Sequence, residues 1–216
     1  MMSAIERLYQ DFTEVNLQVK HRFGGIVQAL MGASQASSAV PDARSEGVHY
    51  PDTDFLDRAT GSQCFMHRHD SARRDSLHIH FFYRWQPKSL ALDHAITTHL
   101  VALDLSLEGE PLGWFLVNQW VVGDFWQEAK TTLDMAKKWR MSAHDTQSSD
   151  FLPDALVANW LNLVLAMAVK TSLPEILEER DQRIDEILSH SPNRKILTDR
   201  RIEIMGYRPF MIPQRG

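Results

Sequence analysis

Residues 62–84, SQCFMHRHDSARRDSLHIHFFYR, decide the fold, because two segments of alternating character flank a polar connection. Side chains of a β-strand point alternately to its two faces, so residues 62–69 and 77–84 are predicted to be strands. The polar residues 70–75 between them are typical of a longer hairpin loop. The middle of the chain is therefore predicted to be an antiparallel β-hairpin.

Four histidines of this hairpin are expected to share one face. His67 and His69 are two residues apart, and so are His78 and His80. If His69 lies opposite His78, then His67 lies opposite His80, with opposed Cβ atoms about 4.5–5.5 Å apart. The apolar residues that alternate with the second pair favour this face assignment, because they should face the helices. The hairpin is thus predicted to carry a compact patch of four imidazoles.

Imidazoles grouped in this way suit a divalent metal ion. Zinc binds ring nitrogens at about 2.0–2.1 Å, and iron, copper and nickel also accept neutral imidazole. We expect His67, His69, His78 and His80 to be the ligands, with His99 as a candidate fifth. Without a metal, the same rings could act as acid–base groups or serve only packing and hydrogen bonding.

A second hairpin and several helices are predicted outside this region. Residues 99–106 and 112–118 flank the turn sequence LEGEP, and His99 alternates in step with Val101 and Leu103. Apolar residues that recur every three or four positions predict helices over residues 3–31, 124–139, 153–170 and 174–188. Ser172, three residues before Glu175, is typical of a helix start.

Strands in one block with helices before and after them favour an α+β fold. We expect a central antiparallel sheet of about four strands, with an N-terminal helix and three or more C-terminal helices packed on it. The length suits a single domain over residues 1–216. Its parts are predicted as an N-terminal helix (1–31), a flexible linker (32–48), the sheet (49–122) and a mainly helical part (123–216). Residues 49–54 are interpreted as turn-like, because Pro51 restricts the residue before it.

Composition argues against several classes of partner and function. The net charge of -5 gives no general attraction to nucleic acid or to anionic lipid, so neither is expected as a partner. The most apolar stretch, residues 156–169, is short for a bilayer span. Cys64 is the single cysteine, which together with the lack of a signal-like start favours the cytoplasm. The motifs of nucleotide-binding folds, serine hydrolases and HExxH metalloproteases are missing, and no oligomeric state is indicated.

Further candidate site residues lie at the end of the predicted sheet and in the hairpin loop. Asn118 and Trp120 follow the fourth strand, where ligand sites often lie, and Arg73 and Arg74 could hold an anionic group of a small-molecule ligand. Core packing for the tryptophan and a solvated loop for the arginines are the alternatives. Asp124 could orient a metal-binding histidine through a hydrogen bond, or it could cap the following helix. The helix cap is the favoured interpretation.

The order of several short motifs resembles a bacterial family catalogued as domain of unknown function 6969. These motifs are HYP (49–51), TGSQ (60–63), HRH (67–69), HIHF (78–81), NQWVVGDFW (118–126), NWL (159–161) and ERD (179–181). The resemblance covers most of residues 49–181 and implies that the four hairpin histidines are positions the family keeps. It also implies Glu and His where this chain has Asp75 and Ser76, Gly at Leu77, and Glu at Asp124. The change at Ser76 argues against a mechanism that needs a histidine there.

The family supplies no established activity, so function is interpreted from the histidines. The first hypothesis is a metal-dependent enzyme that acts on a small molecule. The alternatives are a non-catalytic module that binds a metal or ligand, and a structural protein without a metal.

Overall fold

The computed structural model describes residues 2–32, 49–71, 74–86, 95–144 and 150–211, and only the backbone of 69–71 and 74–76. The helices are α1 (Ala4–Phe23), α2 (Ile26–Gly32), α3 (Gln119–Val122), α4 (Ala129–Lys138), α5 (Ala155–Lys170), α6 (Ser172–His190) and a 3-10 turn (Ile196–Thr198). The strands are β1 (His49–Asp57), β2 (Ser62–Ser71), β3 (Arg74–Trp85), β4 (Ile96–Leu105), β5 (Pro111–Val117) and β6 (Ile204–Pro209). All but the first residue of the linker predicted over 32–48 lies outside the described part.

The strands form one antiparallel sheet of six, in the order β1-β2-β3-β4-β5-β6. This confirms the expected α+β class, with one extra strand at each edge of the four that were predicted. The segment interpreted as turn-like is instead edge strand β1, where the register shifts between Tyr50 and Phe55. This irregularity accommodates Pro51, which cannot donate a hydrogen bond to a ladder.

One face of the sheet forms the core with the helices. Alternate side chains on this face are fully buried, among them Met66, Ile79, Phe81, Leu103 and Trp114. Helix α4 packs on β4, α6 packs on β5 and β6, and α2 packs on β1, while α1 lies against α5. The helices therefore cover one face, as expected, and the histidines belong to the other.

Helix α1 begins and ends at sequence signals that are typical of helix termini, whereas the predicted start signal of α6 does not form a cap. The helix predicted over 3–31 divides at Gly24 and Gly25, which have positive φ angles of 85° and 140°. Helix α1 begins with a capping box between Ser3 and Glu6. The start signal at Ser172 forms no such cap, because α6 follows α5 after a single residue and Ser172 already lies inside the helix.

Among the described residues, no single helix is both long and apolar enough to span a bilayer, and α5 with α6 meets these criteria only as a pair bent by 57°.

Candidate metal centre

The pairing of β2 with β3 places His67, His78 and His80 on one face, in a register two residues away from the expected one. His67 lies opposite His78, Phe65 lies opposite His80, and His69 lies opposite Ser76. The predicted pairings of His69 with His78 and of His67 with His80 are therefore wrong. Pairing of the two strands continues to Ser71 opposite Arg74, so the centre of the hairpin lies one residue earlier than those pairings require. A shift of two residues keeps every side chain on its face, so the patch survives the correction.

A β-bulge in β4 brings His99 to the same face. Phe81 pairs with Val101 and Phe82 pairs with His99, so Leu100 is an extra residue in the ladder. Regular alternation would leave His99 on the core face beside Val101. Because the bulge reverses the alternation, Leu100 and Val101 are both fully buried in the core and His99 points to the opposite side. The candidate fifth histidine therefore joins the cluster.

Three of the histidines bring ring nitrogens close enough to share an ion. One nitrogen from each of His67, His78 and His80 lies within 4.8 Å of the other two. The Nε2 atoms of His67 and His80 are 3.1 Å apart. Ligand nitrogens about 2.05 Å from a tetrahedral zinc are roughly 3.3 Å from one another, so this spacing fits a shared ion. The side chain of His69, the remaining predicted ligand, lies outside the described residues.

Two buried groups lie behind the three histidines. Nε2 of His99 is 3.1 Å from Nδ1 of His80, on the side of that ring away from His67. Oδ1 of Asp104, which pairs with His78 across the ladder, is 3.4 Å from Nε2 of His78. Metal-bound histidines commonly have such a partner on their second nitrogen, which fixes the tautomer and the ring orientation. His80 has such a partner in His99, and the Asp104 carboxylate lies close to the His78 ring.

Aromatic rings make the surroundings of the cluster apolar. Three phenylalanine rings contact it: Phe65, Phe82 and Phe115. Phe115 lies 4.7 Å from His78 and Phe65 lies 5.5 Å from His80, measured between ring centroids. All three phenylalanines are buried, and His80 is only 1% exposed. An ion or a proton held here would therefore interact strongly with the groups around it, because little water screens it.

Burial sets the charge of the two ionisable groups at the inner end of the cluster. It lowers the pKa of His99 to about 3, with a smaller contribution from the positive charge of Arg180. The pKa of Asp124 is raised to about 6 by burial, against the stabilising effect of hydrogen bonds and of Arg180. His99 is therefore neutral near pH 7, and its Nε2 is able to accept a hydrogen bond.

Asp124 acts on His99 through the backbone and does not cap a helix. Its Oδ2 accepts a hydrogen bond of 2.8 Å from the backbone N–H of His99. Helix α4 begins only at Ala129, with Glu128 before it. The favoured interpretation as a helix cap is wrong, because the segment after Asp124 runs alongside β4, where Phe125 N–H donates to the Thr97 carbonyl.

The other candidate ligand-binding residues make structural hydrogen bonds. The Asn118 amide donates to the carbonyls of Ile196 and Ile202, and its Oδ1 accepts from the Gln119 N–H. The indole N–H of Trp120 also donates to Ile202. These bonds fasten the end of β5 to the segment before β6. A ligand-binding role for Asn118 and Trp120 stays a prediction, as it does for Arg73, which is not described, and for the Arg74 side chain.

His49 is a member of the same face that the sequence analysis did not select. Its ring stacks on Phe65 at 3.8 Å, and its Nδ1 lies 3.2 Å from Oδ1 of Asp54. The ring of His67 is 6.1 Å away, edge-on. In the sequence, only its place in the HYP motif marked His49. Its position opposite His67 depends on strand β1, which was not predicted. Asp104 was also missed, although it is the only carboxylate within β4.

Comparison with known proteins adds a family and no activity. A family model described as Domain of unknown function (DUF6969) matches residues 19–210. No curated protein and no solved structure matches the chain.

Proposed function

The chain belongs to the DUF6969 family, and from this premise we propose that it binds a divalent metal ion through His67, His78 and His80 and uses the ion on a small molecule. The observation that carries the proposal is the convergence of three ring nitrogens within 4.8 Å of one another on one buried face. Imidazole accommodates zinc, iron, copper and nickel, so these four are the candidate ions.

The hydrogen-bond partners of the cluster are suited to metal ligands. If Nε2 of His80 binds the ion, its Nδ1 carries the proton and donates to Nε2 of His99. This requires an unprotonated Nε2 on His99, which agrees with the lowered pKa of that ring. If Nδ1 of His78 binds the ion, the Asp104 carboxylate, 3.4 Å from Nε2, is placed to orient that ring. Both partners therefore favour the neutral, correctly oriented imidazoles that a metal ion needs.

Three histidine ligands favour an enzyme over a purely structural site. Structural zinc sites are closed by four protein ligands, whereas catalytic sites keep a position for water or substrate. An ion in such a position supplies a Lewis acid, or a bound water of lowered pKa. His69, two residues after His67 in the sequence, is the candidate fourth ligand. If it also bound the ion, the site would be closed and non-catalytic.

One observation favours a second function without a metal. The ring nitrogens of His67, His80 and His99 follow one another at 3.1 Å, which is also the spacing of a hydrogen-bonded chain of imidazoles. Such a chain could carry protons or simply fix three strands. It needs one proton between each pair of nitrogens and no ion.

Metal content separates these two functions. Protein without a histidine tag is purified from medium that contains all four metals, and bound metal is measured by mass spectrometry. We expect about one ion per chain in the wild type and background in His67→Ala, while His190→Ala, which removes an exposed histidine at the end of α6, keeps the ion. His67 is only half-buried, so the variant should fold, and circular dichroism checks this.

The cobalt-substituted protein gives an independent measurement of the ligands. Three imidazoles around cobalt(II) should produce visible absorption bands that disappear in His67→Ala. Background metal in the wild type, after attempted reloading, would leave the imidazole chain as the function. If the wild type does bind metal, turnover of phosphoesters, esters or oxygenase substrates by the loaded protein would distinguish an enzyme from a metal-binding module.

We also propose a cytoplasmic location, a single domain and a small-molecule ligand in preference to nucleic acid or membrane. The net charge of -5 and the single cysteine support these proposals.

A further inference from the structure

A second concave site lies at the β1 edge of the sheet, outside the histidine cluster. It is a pocket of about 280 Å³ whose lining includes Asp54, Arg58, Gln63, Arg84, Asp150 and Phe151. The irregularity of β1 forms one wall, since residues 51–54 lie between the two regular stretches of pairing with β2. The opposite wall is held in place by a hydrogen bond from Leu56 N–H to the Phe151 carbonyl and by stacking of Phe151 on Phe55.

Most of the charges around this pocket already have partners. The guanidinium of Arg58 lies 3.3 Å from Asp150, whose other oxygen accepts the Arg58 backbone N–H. Asp54 faces His49 with one oxygen and accepts a hydrogen bond of 2.7 Å from the Gln63 amide with the other. These groups are therefore fixed in orientation before any ligand arrives.

Arg84 is the exception. Its guanidinium makes one long hydrogen bond, 3.5 Å to Oε1 of Gln63, and no ion pair with a carboxylate in the described part of the chain. The side chain is half-buried and lines the pocket. A guanidinium has five N–H donors in a planar fork that matches a carboxylate. Among the described residues, the only side-chain hydrogen bond of this guanidinium is the one to Gln63, so it retains donors for a ligand in the pocket.

We propose that this pocket binds a small monocarboxylate, held by the Arg84 guanidinium. The lining has two arginines and two aspartates, and Arg84 is the arginine that forms no ion pair with a described carboxylate. With Asp54 nearby, a single negative charge is the most that a ligand of Arg84 can bring without strong repulsion. A phosphate dianion would bring a second negative charge close to Asp54, which disfavours it. The volume is near the lower limit for ligand pockets and suits a small acid.

The carboxylate site is separate from the histidines but physically connected to them. Gln63 and Arg84 lie four residues along their strands from His67 and His80, a separation of about 13 Å. Asp54 lines the pocket and contacts His49, whose ring stacks on Phe65 beside the cluster. The proposal does not require a metal, so each can fail without the other.

Nuclear magnetic resonance of the metal-free full chain tests the site. Acetate and glycolate are titrated into 15N-labelled protein, with inorganic phosphate and ethylammonium as comparison ions. We expect the carboxylates to shift the Arg84 Nε–H and Gln63 side-chain signals, and to bind more tightly than phosphate. Arg84→Gln should weaken carboxylate binding about tenfold or more. Arg201→Gln, an exposed arginine paired with Asp199 away from the pocket, should leave it unchanged.

Carboxylate binding that is equal in Arg84→Gln and wild type would overturn the proposal, and so would shifts that map elsewhere. Tighter binding of phosphate than of both carboxylates would overturn the ligand class. Should Arg84→Gln fail to fold, the position of the shifts in the wild type decides.

Discussion

His99 is not one of the three proposed ligands but contacts one of them. Its Nε2 lies 3.1 Å from Nδ1 of His80. Replacing it with phenylalanine keeps a ring of similar size but removes the acceptor for the His80 Nδ1 proton. Loss of such a partner typically lowers metal affinity about 10–100-fold, so His99→Phe should bind metal this much more weakly. Competition with a chromophoric chelator measures the affinity. His190→Phe is the matched control, and equal affinity in His99→Phe would show that His99 only fills space.

Asp124 and His99 make opposite contributions to the pH dependence of stability. The pKa of Asp124 rises from 3.8 to about 6 on folding, so the folded state holds its proton more tightly and stability falls as pH rises from about 4 to 6. The pKa of His99 falls from 6.5 to about 3, so its contribution decreases as pH falls below about 6.5. Over about pH 4–6 the two effects offset each other.

Asp124→Asn should therefore make the metal-free protein more sensitive to acid. The amide can still accept the His99 N–H but removes the titration at position 124, leaving that of His99 unopposed. We expect the free energy of unfolding to rise more steeply between pH 4 and 6 than in the wild type. At pH 7 the variant should be more stable, by up to the order of 2 kcal/mol. Urea unfolding at several pH values gives the comparison, and parallel curves would contradict the assignment.

At the scale of the element, the β-bulge between β3 and β4 determines whether His99 reaches the cluster. Beside it, the carbonyl of Phe82 accepts a hydrogen bond from the buried indole N–H of Trp139. Trp139→Phe should leave that carbonyl without this donor, at a cost of about 1–3 kcal/mol in the free energy of unfolding. Because the carbonyl belongs to the bulge, metal affinity should fall as well.

Trp120→Phe is the control for the Trp139→Phe variant. It also removes an indole N–H that donates to a carbonyl, that of Ile202, but in the segment before β6. Chemical denaturation and chelator competition on both variants distinguish the two sites. A loss of metal affinity in Trp120→Phe equal to that in Trp139→Phe would mean that the bulge has no special role.

Strands β2–β5 and helices α1, α4, α5 and α6 were predicted, because long alternating patterns and apolar residues every three or four positions identify elements directly. The edge strands β1 and β6 were not predicted, since Pro51 and Gly206 interrupt their patterns. His67, His78 and His80 were found because alternation within a hairpin does not depend on the rest of the fold. His99 was a candidate, but its place on this face depends on the β-bulge in β4. Asp104 and His49 were missed, because their places depend on a neighbouring strand and an irregular edge strand that a single sequence does not reveal. Asp124 was misassigned because a good capping residue need not lie at a helix start.

At the scale of the whole molecule, contacts distant in sequence connect helix α1 to the C-terminal part of the chain. The Tyr9 hydroxyl donates to the Met211 carbonyl, and Arg22 pairs with Asp154 at the start of α5. The buried side chains of the helices and of the inner sheet face form a continuous hydrophobic cluster. We therefore expect a single cooperative unfolding transition.

Far-ultraviolet circular dichroism and tryptophan fluorescence should report the same midpoint in a denaturant titration of the metal-free protein. Trp114 in the sheet and Trp160 in α5 are both buried in that cluster, so fluorescence samples both parts. Separate midpoints would show that the helical part and the sheet unfold independently.

The rings of His67, His80 and His99 come from β2, β3 and β4, so they form a row that crosses three adjacent strands at right angles to the chain. An ion held by His67, His78 and His80 would cross-link β2 with β3, and the contact of His80 with His99 would extend this link to β4. It would resist sliding of one strand past the next, a movement against which ladder hydrogen bonds offer little protection because they can re-form one repeat away. Removing the ion would therefore lower the resistance of the central strands to sliding past one another, in addition to emptying the metal site.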